Sequence, residues 1–280
     1  MNSLCIVTDQ TAQFTKLNFT GREHVFTLPL LFQLEGKIYP QDSFPLTNLP
    51  SSANPVSSPK LIMPSLGELR NFFITLSEKY NEIVCIFLSN ALFPYCAHVE
   101  QITSGLFSNP KIQIINSQST SIGLGLLVQS AAEMVSLGRS AFEIERQIRN
   151  QIQHTYTILC TPALTYLHQN GLVDYAQAQI GEMYGLYPIF GIEDGHLHPI
   201  DKMRNYRQAL TFFQDYLDEF EQLKHIAWLH KSPENVQDFK MFRDHIADNF
   251  DEEAFIEKII HTPLATLLGP NAFGLIIVED

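Results

Sequence analysis

Basic residues are scarce in this 280-residue chain. It has 18 Lys and Arg residues against 30 Asp and Glu residues, which gives a formal net charge of -12 at pH 7. Proteins that follow a nucleic-acid backbone need clustered cations to neutralise its phosphates. The composition therefore argues against DNA or RNA as a partner.

Catalytic and cofactor motifs are lacking as well. The sequence contains no G-x-S-x-G nucleophile turn, no G-x-x-x-x-G-K-[ST] phosphate loop and no H-E-x-x-H metal motif. Gly123-Leu124-Gly125 lacks the third glycine of a dinucleotide fingerprint, and its place in a helical pattern favours close helix packing. His196 and His198 project to one side of a predicted strand, but no third ligand stands beside them. We expect neither a cofactor nor a metal.

Cysteine is rare, and no long apolar segment opens the chain. The four cysteines are far apart and form no C-x-x-C pair, and three of them lie in apolar runs, which is typical of buried free thiols. The first residues, MNSLCIVTDQTAQF, enter a strand pattern within four residues and show no signal-peptide pattern. We therefore expect a cytoplasmic protein without membrane insertion.

Three short, continuous apolar runs predict a parallel sheet that is covered on both faces. They are Leu4 to Val7, Ile83 to Leu88 and Ile112 to Ile115. Ser65 to Glu68 and Ser140 to Glu143 are capping boxes, each of which predicts the start of a helix. The first part of the chain is thus predicted to be an α/β domain, mainly a parallel sheet with helices on both faces.

After residue 155 the pattern changes to that of an α+β domain. Asp194-Gly195 stands between two strand-like runs, Tyr187 to Ile192 and His196 to Ile200, and so predicts a hairpin. A helix from about Arg204 to Leu223, a helix opened by Ser232-Pro233-Glu234 and two closing strands are expected to follow. We predict two domains, residues 1–155 and residues 156–280.

Polar residues follow the ends of the three predicted parallel strands. Ligands of doubly wound sheets bind outside the carboxyl ends of the strands, so Thr8-Asp9, Ser89-Asn90 and Asn116-Ser117 would surround one crevice. For Asp9 an Asx-turn or N-cap role is the favoured interpretation. For Ser89, Asn90 and Ser117, turn formation and ligand contact both stay open.

Eight segments in order resemble the DegV family, the bacterial fatty-acid-binding proteins. They are IVTDQTA, LPL with GKIY, PSLGEL, LSNAL, INSQSTSIGLGLLV, IGEMYGLYPIF, DGHLHPIDKMR and GPNAFGLI. The resemblance runs from Ile6 nearly to the C-terminus. It implies a two-domain, non-catalytic carrier that encloses a long acyl chain in the C-terminal half and holds its carboxylate at the domain interface. Some members present the acyl group to a separate kinase.

The chain departs from the family at the positions implied to hold the carboxylate. Leu61 replaces the threonine of T-S-Q-P-S, and Phe93-Pro94 replaces the Ser-Gly of S-S-x-L-S-G-T-Y. Leu172 stands at the arginine of K-G-G-R-I, and Leu267 at the histidine of H-x-G-P-G-A. A buried carboxylate without partners costs several kcal/mol, whereas each buried methylene of a tail contributes about 0.8 kcal/mol. We therefore predict altered carboxylate recognition and, as ligand, a fatty acid or a neutral lipid.

Four polar residues remain as implied headgroup contacts, namely Ser89, Asn90, Ser117 and Asn271. Alternatively, the apolar replacements are core residues that fill a closed pocket, which would make the protein a degenerate scaffold or regulatory partner. A phosphoryl-transfer enzyme that uses Asp9, Ser89 and Asn116 is a third possibility, disfavoured because no basic phosphate clamp is present.

Lys202 and Arg204 match a basic K-x-R of the family that resembles a surface for a partner kinase. Their plain interpretation is a pair of charges at the start of a helix.

Overall fold

The computed structural model describes residues 3–40, 46–53, 59–104, 111–231 and 236–279. Its contacts divide the chain into two compact units, one made of Met1–Leu31 and Ile62–Gln153, the other of Phe32–Leu61 and His154–Asp280. The predicted domains differ from these units in one segment, since Phe32–Leu61 groups with the second unit. The domain boundary at residue 155 stays a prediction.

The strands of the described residues are, in chain order, β1 (Leu4–Asp9), β2 (Val25–Leu28), β3 (Leu31–Leu34), β4 (Lys37–Pro40), β5 (Lys60–Ile62), β6 (Glu82–Phe87), β7 (Lys111–Asn116), β8 (Thr155–Cys160), β9 (Tyr187–Glu193), β10 (His196–Met203), β11 (Leu223–His230), β12 (Phe255–Ile259) and β13 (Phe273–Glu279). The α-helices are α1 (Leu66–Ser77), α2 (Tyr95–Thr103), α3 (Ser121–Ser136), α4 (Ala141–Gln153), α5 (Leu164–Gln169), α6 (Tyr175–Met183), α7 (Tyr206–Leu217), α8 (Val236–Asn249) and α9 (Thr262–Leu268).

The first unit is built on a parallel sheet with the strand order β2-β1-β6-β7. Ile6 of β1 lies opposite Val25 on one side and Val84 on the other, and Cys85 of β6 lies opposite Ile114 of β7. Every residue of β1 is buried, and the prediction that β1, β6 and β7 lie in one parallel sheet is confirmed. The short strand β2 was not predicted.

Both predicted capping boxes are present. The Ser65 N–H donates to a Glu68 carboxylate oxygen at 2.8 Å, and the Glu68 N–H donates back to the Ser65 hydroxyl at 3.3 Å. Ser140 and Glu143 repeat this exchange at 2.9 and 3.3 Å. Two orphan donors are satisfied at each helix start, so these local signals determine where α1 and α4 begin.

One glycine of the pair in α3, Gly125, serves close packing. A Cβ atom added to Gly125 would lie 1.9 Å from the carbonyl oxygen of Gln13. Gln13 belongs to the segment that follows β1, and its backbone packs directly against α3 at this position. Only a residue without a side chain fits there.

The second unit contains a six-stranded sheet with the order β10-β9-β8-β13-β11-β12. Neighbours are antiparallel except β11 and β12, which are parallel. Trp228 is fully buried among aromatic rings of α7, α8 and β13. The predicted hairpin joins β9 and β10, and both turn residues, Asp194 and Gly195, have positive φ as a type I′ turn requires. Strands β3, β4 and β5 form a separate small sheet.

Two predictions for this unit need correction or fall outside the description. The helix expected up to Leu223 ends at Leu217, and Leu223 begins β11. Acidic residues at 218, 219 and 221 oppose the negative end of the helix dipole, which favours the earlier end. The helix opening predicted at Ser232-Pro233-Glu234 lies outside the described residues. Helix α9, between the two closing strands, was missed.

All four cysteines are buried, and none of them forms a disulfide. Burial raises the pKa of the Cys5 thiol to about 12, so that its reactive thiolate is suppressed. Across the described ranges, no helix is both long and apolar enough to cross a membrane.

Candidate functional site

The carboxyl edge of the parallel sheet contains a topological switch point. Strand β2 lies on one side of β1, and β6 and β7 lie on the other, so the direction of winding reverses between β1 and β6. Crevices at such points are the usual ligand sites of doubly wound sheets.

Asp9 occupies this switch point. Its carboxylate accepts the Leu88 N–H at 2.7 Å with one oxygen, and the Thr11 N–H at 2.8 Å and Thr11 hydroxyl at 2.5 Å with the other. Asp9 is completely buried; burial raises the pKa of its carboxyl, and the hydrogen bonds from Thr11 and Leu88 oppose that rise. The Asx-type bond to Thr11 confirms the favoured interpretation of Asp9. The protein's own carboxyl group therefore takes donors that a phosphate would need, which disfavours phosphoryl transfer at this point.

Ser89 and Ser117 lie at the same edge, and their hydroxyls take part in turns. The Ser89 N–H donates to the Ser119 carbonyl at 2.8 Å, and the Ser89 hydroxyl accepts the Ala91 N–H at 3.2 Å. The Ser117 hydroxyl accepts the Ser119 N–H at 3.1 Å and donates to its carbonyl at 3.0 Å. Turn formation thus accounts for both hydroxyls, and ligand contact by them stays a prediction.

Asn90 connects this edge to helix α2. Its N–H donates to the Asn116 side-chain oxygen at 3.1 Å, and its own side-chain oxygen accepts the Cys96 N–H at 3.3 Å. The side chain is exposed, and its amide nitrogen has no hydrogen bond to the described part of the chain. Asn90 can therefore still donate to a ligand.

Phe93 and Pro94 form the turn into α2. Phe93 is half-buried with its ring centroid 6.4 Å from that of Tyr95, and Pro94 is the N-cap residue without a side-chain cap. A proline has no N–H, so this turn contributes fewer anion donors than a Ser-Gly turn would.

The loop between β7 and α3 is a feature that the sequence analysis missed. Gln118 and Ser121 both have φ of 51°, in the left-handed region where non-glycine residues are uncommon. The hydroxyls of Thr8 and Thr120 are buried and have no hydrogen-bond partner within the described residues. The available signal was the dense run of hydroxyl and amide residues in NSQSTS after a predicted strand.

The apolar replacements lie mostly in the second unit. Leu267 is completely buried in α9, whose seven residues are all buried, and Leu61 is buried in β5. Leu172 is half-buried and Asn271 is exposed. That these positions form one common site stays a prediction.

Leu172 follows a Schellman turn that ends α5. Gly171 has φ of 75° and donates to the His168 carbonyl at 2.9 Å, and the Leu172 N–H donates to the Leu167 carbonyl at 2.8 Å. The side chain of the preceding residue, Asn170, donates to the carbonyls of Tyr166 and Thr266, each at 3.0 Å. Asn170 thus ties α5 to α9 and fixes the helix that carries Leu267, a role that the sequence did not reveal.

Lys202 and Arg204 are exposed at the end of β10, just before α7. The Arg204 N–H donates to the Gln208 side chain at 2.9 Å, as part of the start of that helix. Elsewhere in the described residues, no group of three or more His, Cys, Asp or Glu side chains is arranged to hold a metal ion.

Comparison with known proteins gives full-length matches. A family model described as "Uncharacterised protein, DegV family" matches residues 3–280. A DegV domain-containing protein of Caldanaerobacter subterraneus subsp. tengcongensis is 25% identical over 289 residues, covering 100% of both chains.

Two solved structures share the fold. A fatty acid binding DegV family protein from Streptococcus agalactiae superposes with a TM-score of 0.85 at 21% identity, covering 100% of both chains. The Streptococcus pneumoniae Fatty Acid Kinase (Fak) B3 protein, loaded with linoleic acid, has a TM-score of 0.82 at 15% identity and covers 99% of this chain and 100% of its own. Because the family model spans almost every residue, and both units match at full length, this chain belongs to the DegV family.

Proposed function

We propose that this protein binds a long-chain fatty acid or a related lipid and carries it without chemical change. The observation that carries the proposal is the full-length similarity to a DegV protein described as fatty acid binding. The family match over residues 3–280 supports it further. No residue of the chain is assigned a catalytic role.

The headgroup site is proposed to differ from one built around charged anchors. Leu61, Leu172 and Leu267 offer no donor, and two of them are buried. A carboxylate placed among them would lose hydration without recovering hydrogen bonds, so a neutral lipid or a protonated acid is favoured there. Asn90 and Asn271 are exposed amides that can donate to a neutral oxygen.

We propose that the partner is a fatty-acid kinase and that the two proteins interact in the cytoplasm. The similarity to a protein named as part of a fatty acid kinase supports the partner, and the exposed Lys202 and Arg204 are the proposed contact. Four buried cysteines that form no disulfide support a reducing compartment.

A scaffold with a filled pocket is the second candidate. The specific observation in its favour is helix α9, in which every residue including Leu267 is buried by the protein itself. Such a protein would keep the fold and lose the cargo.

Native mass spectrometry of the purified protein, followed by denaturing extraction and lipid identification, tests the proposal. We expect an adduct of one acyl lipid per chain. A protein that is empty, and that takes up neither oleate nor methyl oleate after delipidation, would contradict lipid binding and favour the scaffold.

Variants at the altered anchors test the headgroup assignment. Leu267→His restores a polar side chain, so we expect the ratio of oleate affinity to methyl oleate affinity to rise about tenfold. Leu210→His is the matched control because Leu210 is equally buried but lies in the cluster around α7 and α8. The control should lose stability and leave the affinity ratio unchanged.

A further inference from the structure

The start of α3 contains buried donors that the protein itself does not use. Thr120 is the N-cap residue of this 16-residue helix, and its side chain makes no capping hydrogen bond. Thr120 is completely buried, yet its hydroxyl has no partner in the described chain. Buried hydroxyls are nearly always hydrogen-bonded, and an unpaired one costs about 1–3 kcal/mol. An uncapped helix start also leaves N–H groups of the first turn without side-chain acceptors.

Thr8 presents a second unpaired hydroxyl towards the same side of the sheet. The ring centroid of Phe87 in β6 lies 4.9 Å from that of Tyr95 in α2. Val7 pairs with Cys85 in the parallel register, so Asp9 and Phe87, each two residues further on, point to the face that α2 covers. Successive side chains of a strand point to opposite faces, which directs Thr8 away from α2. Helix α3 packs against β1, and Thr8 is fully buried with an unpartnered hydroxyl.

The backbone around these hydroxyls is held in place by other contacts. The Gln13 N–H donates to the Ser121 carbonyl at 2.9 Å, and the Ser121 hydroxyl donates to the Gln13 side-chain oxygen. The Ser89 N–H holds the Ser119 carbonyl at 2.8 Å. Neither Thr120 nor Thr8 contributes a side-chain bond to this arrangement, so their hydroxyls are not needed to shape the loop.

We infer that the start of α3, with the hydroxyls of Thr120 and Thr8, holds an acceptor oxygen of the bound lipid, either a carboxylate or an ester carbonyl. The inference rests on the proposed function and names hydroxyl donors for the headgroup of the lipid. Hydroxyl and N–H donors suit either kind of oxygen, and the positive end of the helix dipole adds to the attraction of a carboxylate.

The plain alternative is that a buried water satisfies both hydroxyls. The two roles predict different results for Thr120→Val. Valine has the shape of threonine and suits the extended backbone at residue 120, where φ is -151°. Removing an unpaired hydroxyl should leave the stability of the ligand-free protein equal or higher, while the affinity for oleate should fall at least about tenfold.

The experiment measures oleate and methyl oleate affinity, and urea unfolding, for the delipidated wild-type protein and for Thr120→Val, Thr120→Ser and Thr8→Val. Thr11→Val is the control because its hydroxyl is also buried but is bonded to Asp9. It should lose stability and keep its lipid affinity. Thr120→Ser retains the hydroxyl and should retain lipid affinity. If the valine variants bind both lipids more weakly, the hydroxyls contact an acceptor oxygen that is a carboxylate oxygen in one lipid and an ester carbonyl oxygen in the other. If they bind only oleate more weakly, the acceptor is the carboxylate.

Two outcomes separate the claims. Wild-type protein that takes up neither lipid overturns the proposed function, and this inference with it. Wild-type uptake that both valine variants leave unchanged overturns the inference alone and assigns the hydroxyls to structural water.

Discussion

Replacement of Asp9 by asparagine tests the account of the switch point. Asparagine keeps one side-chain oxygen, which can still accept from Thr11 at the 2.8 and 2.5 Å positions. Its amide nitrogen would then face the Leu88 N–H, which in the wild type donates at 2.7 Å to the second oxygen of the carboxyl group. That oxygen can accept a hydrogen bond even when the carboxyl is protonated at acid pH, whereas an amide nitrogen cannot. A buried donor without an acceptor costs about 1–3 kcal/mol, so Asp9→Asn should lower the free energy of unfolding by about that amount at acid pH.

The difference in free energy of unfolding between the wild type and Asp9→Asn should depend on pH, and this dependence is the more specific test. Burial raises the pKa of the folded Asp9 carboxyl above its ordinary value of 3.8. A group with a raised folded pKa contributes stability that is fully present below the unfolded value and is lost as pH rises through the folded value. The wild type therefore loses stability above pH 3.8, by at most about 1.4 kcal/mol per pH unit, and the variant does not. The deficit of the variant should narrow as pH rises.

Urea unfolding of both proteins at several pH values above 4 measures this difference. The effect of titrating exposed carboxylates such as Glu68 and Glu143 on stability cancels in this difference, because both proteins contain these residues. A deficit that widens with pH would refute the reasoning, since it would mean that the hydrogen bonds from Thr11 and Leu88 outweigh burial and lower the pKa.

Three further predictions concern other parts of the molecule. Gly125→Ala should lower the free energy of unfolding by several kcal/mol in urea unfolding, because the added Cβ would lie 1.9 Å from the Gln13 carbonyl oxygen. Gly67→Ala in α1 is the control, because its Cβ would meet nothing within 4 Å; it should be neutral or stabilising by about 1 kcal/mol. Asn170→Ala should cost about 1–3 kcal/mol and speed hydrogen exchange in α5 and α9, because it removes the donors to the carbonyls of both helices; unchanged exchange would contradict the tie. Substitution of Lys202 and Arg204 by glutamate should weaken kinase binding in a salt-dependent way without changing lipid affinity, and equal binding by the doubly substituted protein would remove the pair from the interface.

The parts of the fold that were predicted correctly are those fixed by local physics. Strands β1 and β6 are buried almost throughout and so read as continuous apolar runs. The edge strand β7 is mostly half-buried, but it has the same kind of apolar run and was predicted from it. The capping boxes of α1 and α4 are complete within four residues each. Helix α9 was missed because TPLATLL is buried on every side and is only seven residues long, so its sequence shows no amphipathic period.

The candidate site was predicted only where a sheet rule applied. Asp9, Ser89, Asn90 and Ser117 were placed at the carboxyl edge because strand ends in a parallel sheet meet there. The lack of a hydrogen-bond partner for the Thr120 hydroxyl among the described residues depends on neighbours that are distant in sequence, so it could not be predicted. Asn170 bonds a carbonyl 96 residues away, and neither relation leaves a local pattern in the sequence.

The altered anchors should change specificity more than affinity. Burial of a tail with about fifteen methylenes contributes about 12 kcal/mol before the costs of association, whereas each lost headgroup hydrogen bond to a charge removes about 1.5–3 kcal/mol. Leucine at 61, 172 and 267 would therefore leave enough binding energy for a carrier while removing the penalty that charged anchors impose on a neutral headgroup. Asp9 adds to this effect, because its buried carboxyl has already taken the switch-point donors. Discrimination between an acid and its ester would then depend mainly on neutral donors, and the proposed donors at the start of α3 can donate to the oxygen of either one.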